Sequence, residues 1–197
     1  TSFTEVPSCD IQSPADRQLL YEHAMDLYLK LEHQYKIYNI PHPPHLFIKA
    51  NSGTYGMGVT SINHPKDILE LNRKNRNKLT KGKEARQITN LLIQEGIPSS
   101  LRINNNVAEL CLYYAAHHYL GGFYRLNTQK SEKDNLNSQG MHFQKMCLKN
   151  NTKCPYSTLS ESCGSDVIDD LNFYQFLAQV SISAAQQEIR ELEAIHQ

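Results

Sequence analysis

Two short extended segments joined by a glycine-rich loop are the feature that most restricts how this chain can fold. The first segment is Leu46–Ala50 and the second is Val59–Ile62, with Asn-Ser-Gly-Thr-Tyr-Gly-Met-Gly between them at 51–58. The prolines of segment 39–45 end whatever helix precedes it, because proline lacks an N–H donor and disfavours helix in the residue before it. The pattern therefore predicts a β-hairpin with a long tip.

Helices are expected on both sides of the strand-rich region. Apolar residues recur at helical spacing from Leu19 to Tyr35 and again over 167–197, and a third helix is expected to open near Ile68 and run into the basic segment 73–83. Further strands are expected over 88–96, 107–114 and 119–127, with a polar insertion at 149–166. These elements predict an α+β fold with mainly antiparallel sheets.

Charge and cysteine content restrict the class of protein. Twenty Lys and Arg residues balance 20 Asp and Glu residues, so no overall field draws the chain to nucleic acid or an anionic membrane. The five cysteines contain no CxxC pair, which argues against a disulfide framework and a zinc ribbon. No apolar run approaches the roughly 18 residues of a spanning helix. We expect a cytoplasmic protein without a membrane or nucleic-acid partner, of undetermined oligomeric state.

The glycine-rich loop is the sharpest chemical signal. Lys49 stands at the end of a strand and is followed by Gly53, Gly56 and Gly58. Glycines let backbone N–H groups approach phosphate oxygens, and the lysine ammonium can reach the same oxygens. The spacing fits neither a Walker A loop nor a dinucleotide fingerprint. A tight hairpin with a surface lysine explains the same residues.

A second signal is the run Leu91-Leu-Ile-Gln-Glu-Gly96, a buried strand that ends in polar groups. Its terminus can offer a backbone donor and acceptor to a purine edge, and Glu95 can accept from a ribose hydroxyl. A strand that simply reaches solvent is the alternative.

A third signal combines Arg125 with the asparagines of a nearby loop. Arg125 and Asn127 fall on one side of an expected strand, and Asn135 and Asn137 share a side if their segment is extended. Amide oxygens suit Mg²⁺, which usually takes one or two protein groups together with nucleotide phosphates. A surface arginine is the alternative reading of Arg125.

Two other charged or ligand-type clusters carry less information. The basic run 73–83 fits a solvated helix face, with a phosphate-facing role as the alternative. The histidines at 42, 45, 117 and 118 lack a cysteine or carboxylate at ligand spacing, so they are expected to be structural or surface groups.

Five blocks of sequence, in one order, resemble the proteobacterial glutamate-cysteine ligase family. They are Phe47–Gly58, Asn72–Lys78, Ile93–Gly96, Gly121–Arg125 and Asn135–Phe143. The most specific are Lys-Ala-x-x-Gly-Thr-Tyr-Gly-Met-Gly and Asn-Leu-Asn-x-x-Gly-Met-His-Phe.

The resemblance implies an ATP-grasp fold, in which two α+β lobes hold ATP and a glycine-rich hairpin forms a lid. It implies a small lobe at 46–98, preceded by a helical segment at 1–45, and a second lobe with the C-terminal helix at 99–197. Its implied ATP contacts are Lys49, Gly53, Thr54, Tyr55, Gly56, Gly58, Gln94, Glu95 and Gly96. Arg125 would stabilise the transferred phosphoryl group, and Asn135 and Asn137 would hold Mg²⁺.

The implied reaction activates the glutamate γ-carboxylate as an acyl phosphate, which the cysteine amine then attacks. Two positions depart from the family pattern, since Asn51 replaces a usual acidic residue and Leu110 replaces a proline. Family members also extend further at the N-terminus. A non-catalytic nucleotide-binding module and an ATP-grasp ligase for other substrates therefore remain as alternatives.

Overall fold

The computed structural model describes residues 2–51, 58–80, 88–146 and 171–195. Its helices are α1 (Pro14–Ile37), α2 (Arg73–Thr80) and α3 (Leu171–Ile195), and a 3₁₀ turn spans Pro65–Ile68. Its strands are β1 (Phe3–Val6), β2 (Leu46–Ala50), β3 (Val59–Ile62), β4 (Leu91–Glu95), β5 (Arg102–Ile103), β6 (Asn106–Ala115), β7 (His118–Asn127) and β8 (Met141–Lys145).

The chain divides into two compact units. The first contains residues 1–100 together with 129–140, and the second contains 101–128 together with 141–197. The first unit has a four-stranded sheet in the order β1-β4-β2-β3, and the second has a four-stranded sheet in the order β5-β6-β7-β8. Every pair of neighbouring strands is antiparallel.

Helix α1 supplies much of the core of the first unit. It begins at the Ser13 N-cap, whose side chain accepts a hydrogen bond from the Asp16 backbone N–H, and Pro14 occupies the first turn. Its buried positions are Leu20, Ala24, Leu27, Tyr28, Leu31 and Tyr35, which form one helical stripe. That stripe belongs to one buried cluster with the sheet residues Leu46, Ile48 and Ile93.

The first sheet has a core face and an open face. Alternate residues of β2 are buried (Leu46, Ile48 and Ala50), while Phe47 and Lys49 are only half-buried. In the antiparallel register Phe47 lies opposite Gln94 on β4 and Ser61 on β3. Residues opposite each other share a face, so Phe47, Lys49, Gln94 and Ser61 all belong to the open face.

The sheet of the second unit carries a β-bulge. Tyr114 pairs with Tyr119 but Tyr113 pairs with Gly121, so Leu120 is the extra residue. Gly121 has φ +135°, a value that side-chain-bearing residues rarely adopt. Ile103, Ala108, Tyr124 and Leu126 form the buried cluster of this unit.

The predicted α+β class with antiparallel sheets is confirmed. The helix expected to run from Ile68 into the basic segment is instead a 3₁₀ turn and a separate helix α2. Strands β1, β5 and β8 were not predicted, and the 149–166 insertion lies outside the described residues. Among the described helices, none is long and apolar enough to cross a membrane. The ATP-grasp arrangement and the three-segment division stay predictions.

Candidate functional site

Lys49 lies on the open face of the first sheet with its ammonium group held by a neutral partner. Its Nζ donates to Oε1 of Gln94 at 2.5 Å and lies 5.7 Å from the centroid of the Phe47 ring. Burial lowers the pKa of Lys49 below its ordinary value. The sheet therefore presents a partly desolvated cation at the base of the glycine-rich loop.

The described base of that loop is closed by backbone hydrogen bonds. The Ala50 N–H donates to the Gly58 carbonyl at 2.9 Å, and the Asn51 N–H donates to the Asn90 carbonyl at 3.0 Å. Gly58 has φ +68°, and a Cβ there would stand 3.0 Å from the Ala50 Cβ, so this position requires glycine. Gly53, Thr54, Tyr55 and Gly56 lie outside the described residues.

The two polar residues at the end of β4 have different surroundings. Gln94 lies on the open face, whereas the Glu95 carboxylate lies towards α1, where it accepts from the Tyr35 hydroxyl at 3.0 Å and from the Ser2 N–H at 3.0 Å. Burial, followed by the Glu95 hydrogen bond, raises the pKa of Tyr35 to about 12. A ribose contact by Glu95 stays a prediction.

Gly96 lies directly against His45. The Gly96 N–H donates to the His45 carbonyl at 2.8 Å, and a Cβ on Gly96 would stand 2.2 Å from the His45 Nε2. The His45 side chain is 1% exposed, and neither ring nitrogen has a hydrogen-bond partner among the described residues. Burial, reinforced by Lys133 and His42, lowers the pKa of His45, which favours the neutral form of the ring.

Asn135 and Asn137 lie on a bend and not on an extended segment. Oδ1 of Asn135 accepts from the Asn137 N–H at 3.0 Å, and the Ser138 hydroxyl donates to the Asn135 carbonyl at 2.9 Å. The condition under which the two side chains share a strand face is therefore not met. Instead, an Asx turn links the Asn135 side chain to the Asn137 backbone.

The bend is anchored to the first unit by Asp134. Burial alone would raise the pKa of Asp134, but hydrogen bonds from the N–H and hydroxyl of Ser131, with contributions from Lys130 and Ser61, hold it below its ordinary value. Ser61 lies opposite Phe47, two residues before Lys49 on β2. The first unit therefore carries Lys49, Gln94 and the asparagine bend within itself.

The described residues contain no group of three or more His, Cys, Asp or Glu side chains that could hold a metal ion. A metal at the bend would depend on amide and backbone oxygens together with oxygens of the ligand.

Arg125 lies in the second unit and is paired with a residue that the sequence analysis did not select. Its Nη1 donates to Oε2 of Glu109, directly opposite on β6, at 3.0 Å. The two side chains are 24% and 38% exposed, and the buried Nε of Arg125 has no partner among the described residues. Asn127 lies on the same strand but is fully buried.

The bulge explains why this pair was missed. Extending the pairing of Ala115 with His118 without a bulge would set Glu109 opposite Tyr124, whereas the extra residue Leu120 shifts the partner to Arg125. The glycine pair 121–122 was the available signal, because glycine inside a strand often marks a bulge.

A surface depression of about 470 Å³ lies elsewhere in the first unit. It is lined by Glu32, Tyr35, Lys36 and the turn 39–44. None of the predicted site residues lines it.

Comparisons with known proteins place the chain in a family. The family model "GshA: Glutamate-cysteine ligase" matches residues 1–189. No curated protein matches the chain. The crystal structure of a protein from Methylobacillus flagellatus KT, provisionally named a gamma-glutamylcysteine synthetase, superposes with a TM-score of 0.74 at 25% sequence identity, covering 97% of this chain and 44% of that protein. The present chain thus spans less than half the length of that relative. Since the family model covers nearly the whole sequence, the chain belongs to the glutamate-cysteine ligase family.

Proposed function

We propose that this chain is the nucleotide-binding part of an ATP-dependent carboxylate-amine ligase of the ATP-grasp type. The γ-phosphoryl group of ATP passes to the glutamate γ-carboxylate and ADP leaves. The cysteine amine then attacks the acyl phosphate, so that an amide bond forms and phosphate departs. The products are γ-glutamylcysteine, ADP and phosphate, and the proposal places the reaction in the cytoplasm.

The observation that carries the proposal is the state of Lys49. Its ammonium is partly desolvated, lies beside a neutral amide, and has no carboxylate within ion-pair distance among the described residues. A cation in this state is stabilised when an anion binds. The glycine-rich loop begins two residues later, and its backbone N–H groups are suited to the same phosphate oxygens. The lysine and the loop together favour a nucleoside triphosphate, which has several phosphate oxygens.

Mg²⁺ fits the asparagine bend by its chemistry. Each amide oxygen has two lone pairs, so Oδ1 of Asn135 can bind a metal ion while it still accepts from the Asn137 N–H. We propose that Asn135 and Asn137 hold the ion, together with nucleotide oxygens and water. When bound, Mg²⁺ would neutralise charge on the phosphoryl group being transferred.

Arg125 is proposed to stabilise the transferred phosphoryl group. One nitrogen of its guanidinium is occupied by Glu109, which leaves further donors on the same planar group. Because such an interaction strengthens in the transition state, Arg125→Ala should lower turnover more than it lowers ATP affinity.

The experiment is calorimetric titration of the chain with ATP, with and without Mg²⁺, followed by a phosphate-release assay with glutamate and cysteine. Lys49→Met should weaken ATP binding at least tenfold, on the scale of a charged hydrogen bond. Lys30→Met is the matched control, because Lys30 is an exposed lysine of α1 in the same unit. Unchanged affinity in Lys49→Met would remove the lysine from the site.

Two alternatives are outcomes of the same assay. ATP binding without phosphate release would favour a nucleotide-binding module, an outcome compatible with a chain that spans 44% of its structural relative. Phosphate release with other carboxylates and amines, but not with glutamate and cysteine, would favour a ligase of different specificity. Absence of ATP binding would overturn the proposal.

A further inference from the structure

Gln94 and Lys49 are diagonal neighbours across two strands. Gln94 lies opposite Phe47, and Lys49 lies opposite Leu92, so their side chains leave the same face one step apart. Diagonal neighbours are separated by roughly 7–8 Å at the backbone, a distance that two long side chains can bridge. The Nζ to Oε1 distance of 2.5 Å shows that they do so here.

The chemistry of the pair suits a lysine that must remain available to an anion. A lysine ammonium has three N–H donors, of which Gln94 uses one. A glutamate at this position would neutralise the lysine and repel phosphate, whereas an amide oxygen fixes the ammonium and leaves its charge intact. The centroid of the Phe47 ring lies 5.7 Å from the Lys49 Nζ, and this contact further restricts the position of the ammonium group.

We propose that Gln94 is a positioning residue, which holds the Lys49 ammonium for phosphate through its side-chain oxygen and does not read the purine edge. This inference rests on the proposed nucleotide site and changes the role of one of its residues. It makes the side chain of position 94 part of the phosphate subsite.

The test is a double-mutant cycle with ADP as the ligand. Gln94→Met keeps the length of the side chain and removes the acceptor, so it should weaken ADP binding about tenfold, as for loss of a hydrogen bond to a charged group. In a Lys49→Met background the same change should have little further effect, because the group that it positions is gone. Gln18→Met, an exposed change on α1, is the matched control.

A second readout separates positioning from purine recognition. Inosine diphosphate differs from ADP at the purine edge but has the same phosphates. If Gln94 acts through Lys49, Gln94→Met should lower the affinity for ADP and for inosine diphosphate by the same factor, so that the ratio of the two affinities stays unchanged. A changed ratio, or a full tenfold loss that persists in the Lys49→Met background, would overturn the inference.

A third readout needs no ligand. In the Gln94→Glu variant the new carboxylate should raise the pKa of Lys49, as measured by NMR titration of the lysine ε-carbon in the free protein. In a separate titration with ADP, the same variant should bind ADP more weakly than the Gln94→Met variant does. An unmoved Lys49 pKa would overturn the pairing. If the unaltered chain binds neither diphosphate, the proposed function fails and the inference with it. If it binds ADP and only the cycle shows no coupling, the inference fails alone.

Discussion

At the scale of single residues, the contact between Gly96 and His45 leaves no room for a side chain at position 96. A Cβ on residue 96 would stand 2.2 Å from Nε2 of an imidazole that is 1% exposed. Because the ring has little room to move, we expect Gly96→Ala to lower the free energy of unfolding by about 1–3 kcal/mol, the usual cost of overpacking. Urea denaturation followed by circular dichroism measures it.

Shortening His45 provides the control for that change. In a His45→Ala background the methyl group at position 96 has space, so Gly96→Ala should cost less there than it costs alone. Equal costs in both backgrounds would show that His45 is not the obstacle. Loss of ATP binding at unchanged stability would instead indicate that Gly96 must be small for the nucleotide.

Some site residues could be predicted from the sequence, but their contacts with one another could not. Lys49 could be selected because a lysine before a glycine-rich loop is a local pattern, visible without the fold. Its pairing with Gln94 could not be predicted, since it depends on the register of two strands more than 40 residues apart. The hydrogen bond between Glu95 and Tyr35 could not be predicted either, because it joins a strand to a helix 60 residues away in sequence.

At the scale of elements, the hydrogen bond between Tyr35 and Glu95 joins α1 to β4. The pKa of Tyr35 is raised to about 12, above an unfolded value of about 10. A raised tyrosine pKa means that the folded state prefers the neutral phenol. Its stabilisation is therefore complete below pH 10 and is lost as the pH rises towards 12.

Tyr35→Phe should remove both the bond and this pH dependence. We expect the variant to be less stable at pH 8 by about 1.5–3 kcal/mol, the range for a hydrogen bond to a charged group. The difference between the two proteins should shrink between pH 10 and 12, as measured by urea midpoints at each pH. A difference that stays constant across this range would contradict a raised Tyr35 pKa.

Elements with strong local signals were predicted, and elements that depend on distant partners were not. Helix α1 has a cap, a first-turn proline and a regular apolar stripe, and β2 and β3 are bounded by proline and glycine. In contrast, β1 has only four residues and exists because it pairs with β4, while β8 is largely exposed and pairs with β7. Their partners, not their own sequences, make them strands.

At the scale of the whole molecule, the asparagine bend shows how chain order and spatial order differ. Residues 129–140 follow the long hairpin β6-β7 in sequence, yet they belong to the first unit, where the Ser99 N–H donates to the Glu132 carbonyl at 3.1 Å. The bend therefore belongs to the same unit as Lys49, although the hairpin β6-β7 separates the two in sequence. Spacing along the chain gives no signal for such a return.

Two cysteines can report on the two units separately. Cys9 is 1% exposed in the first unit, and burial, followed by Asp16 and Asp10, raises its pKa to about 11. In a variant that keeps only Cys9, alkylation at pH 8 should be on the order of a hundredfold slower in the native protein than in urea, because the thiolate is the reactive form. A native rate equal to the unfolded rate would contradict a buried thiol.

The matched variant keeps only Cys111, which is half-buried in the second unit. Burial raises its pKa while Arg125 opposes the rise, so Cys111 should react faster than Cys9 in the native protein.

Alkylation of both variants across a urea series then measures the opening of each unit. If both rates rise at one urea concentration, the units unfold together, and if the Cys9 rate rises separately, the unit that contains Lys49 has a stability of its own. ADP should delay the Cys9 transition in either case, because a ligand stabilises the unit that binds it.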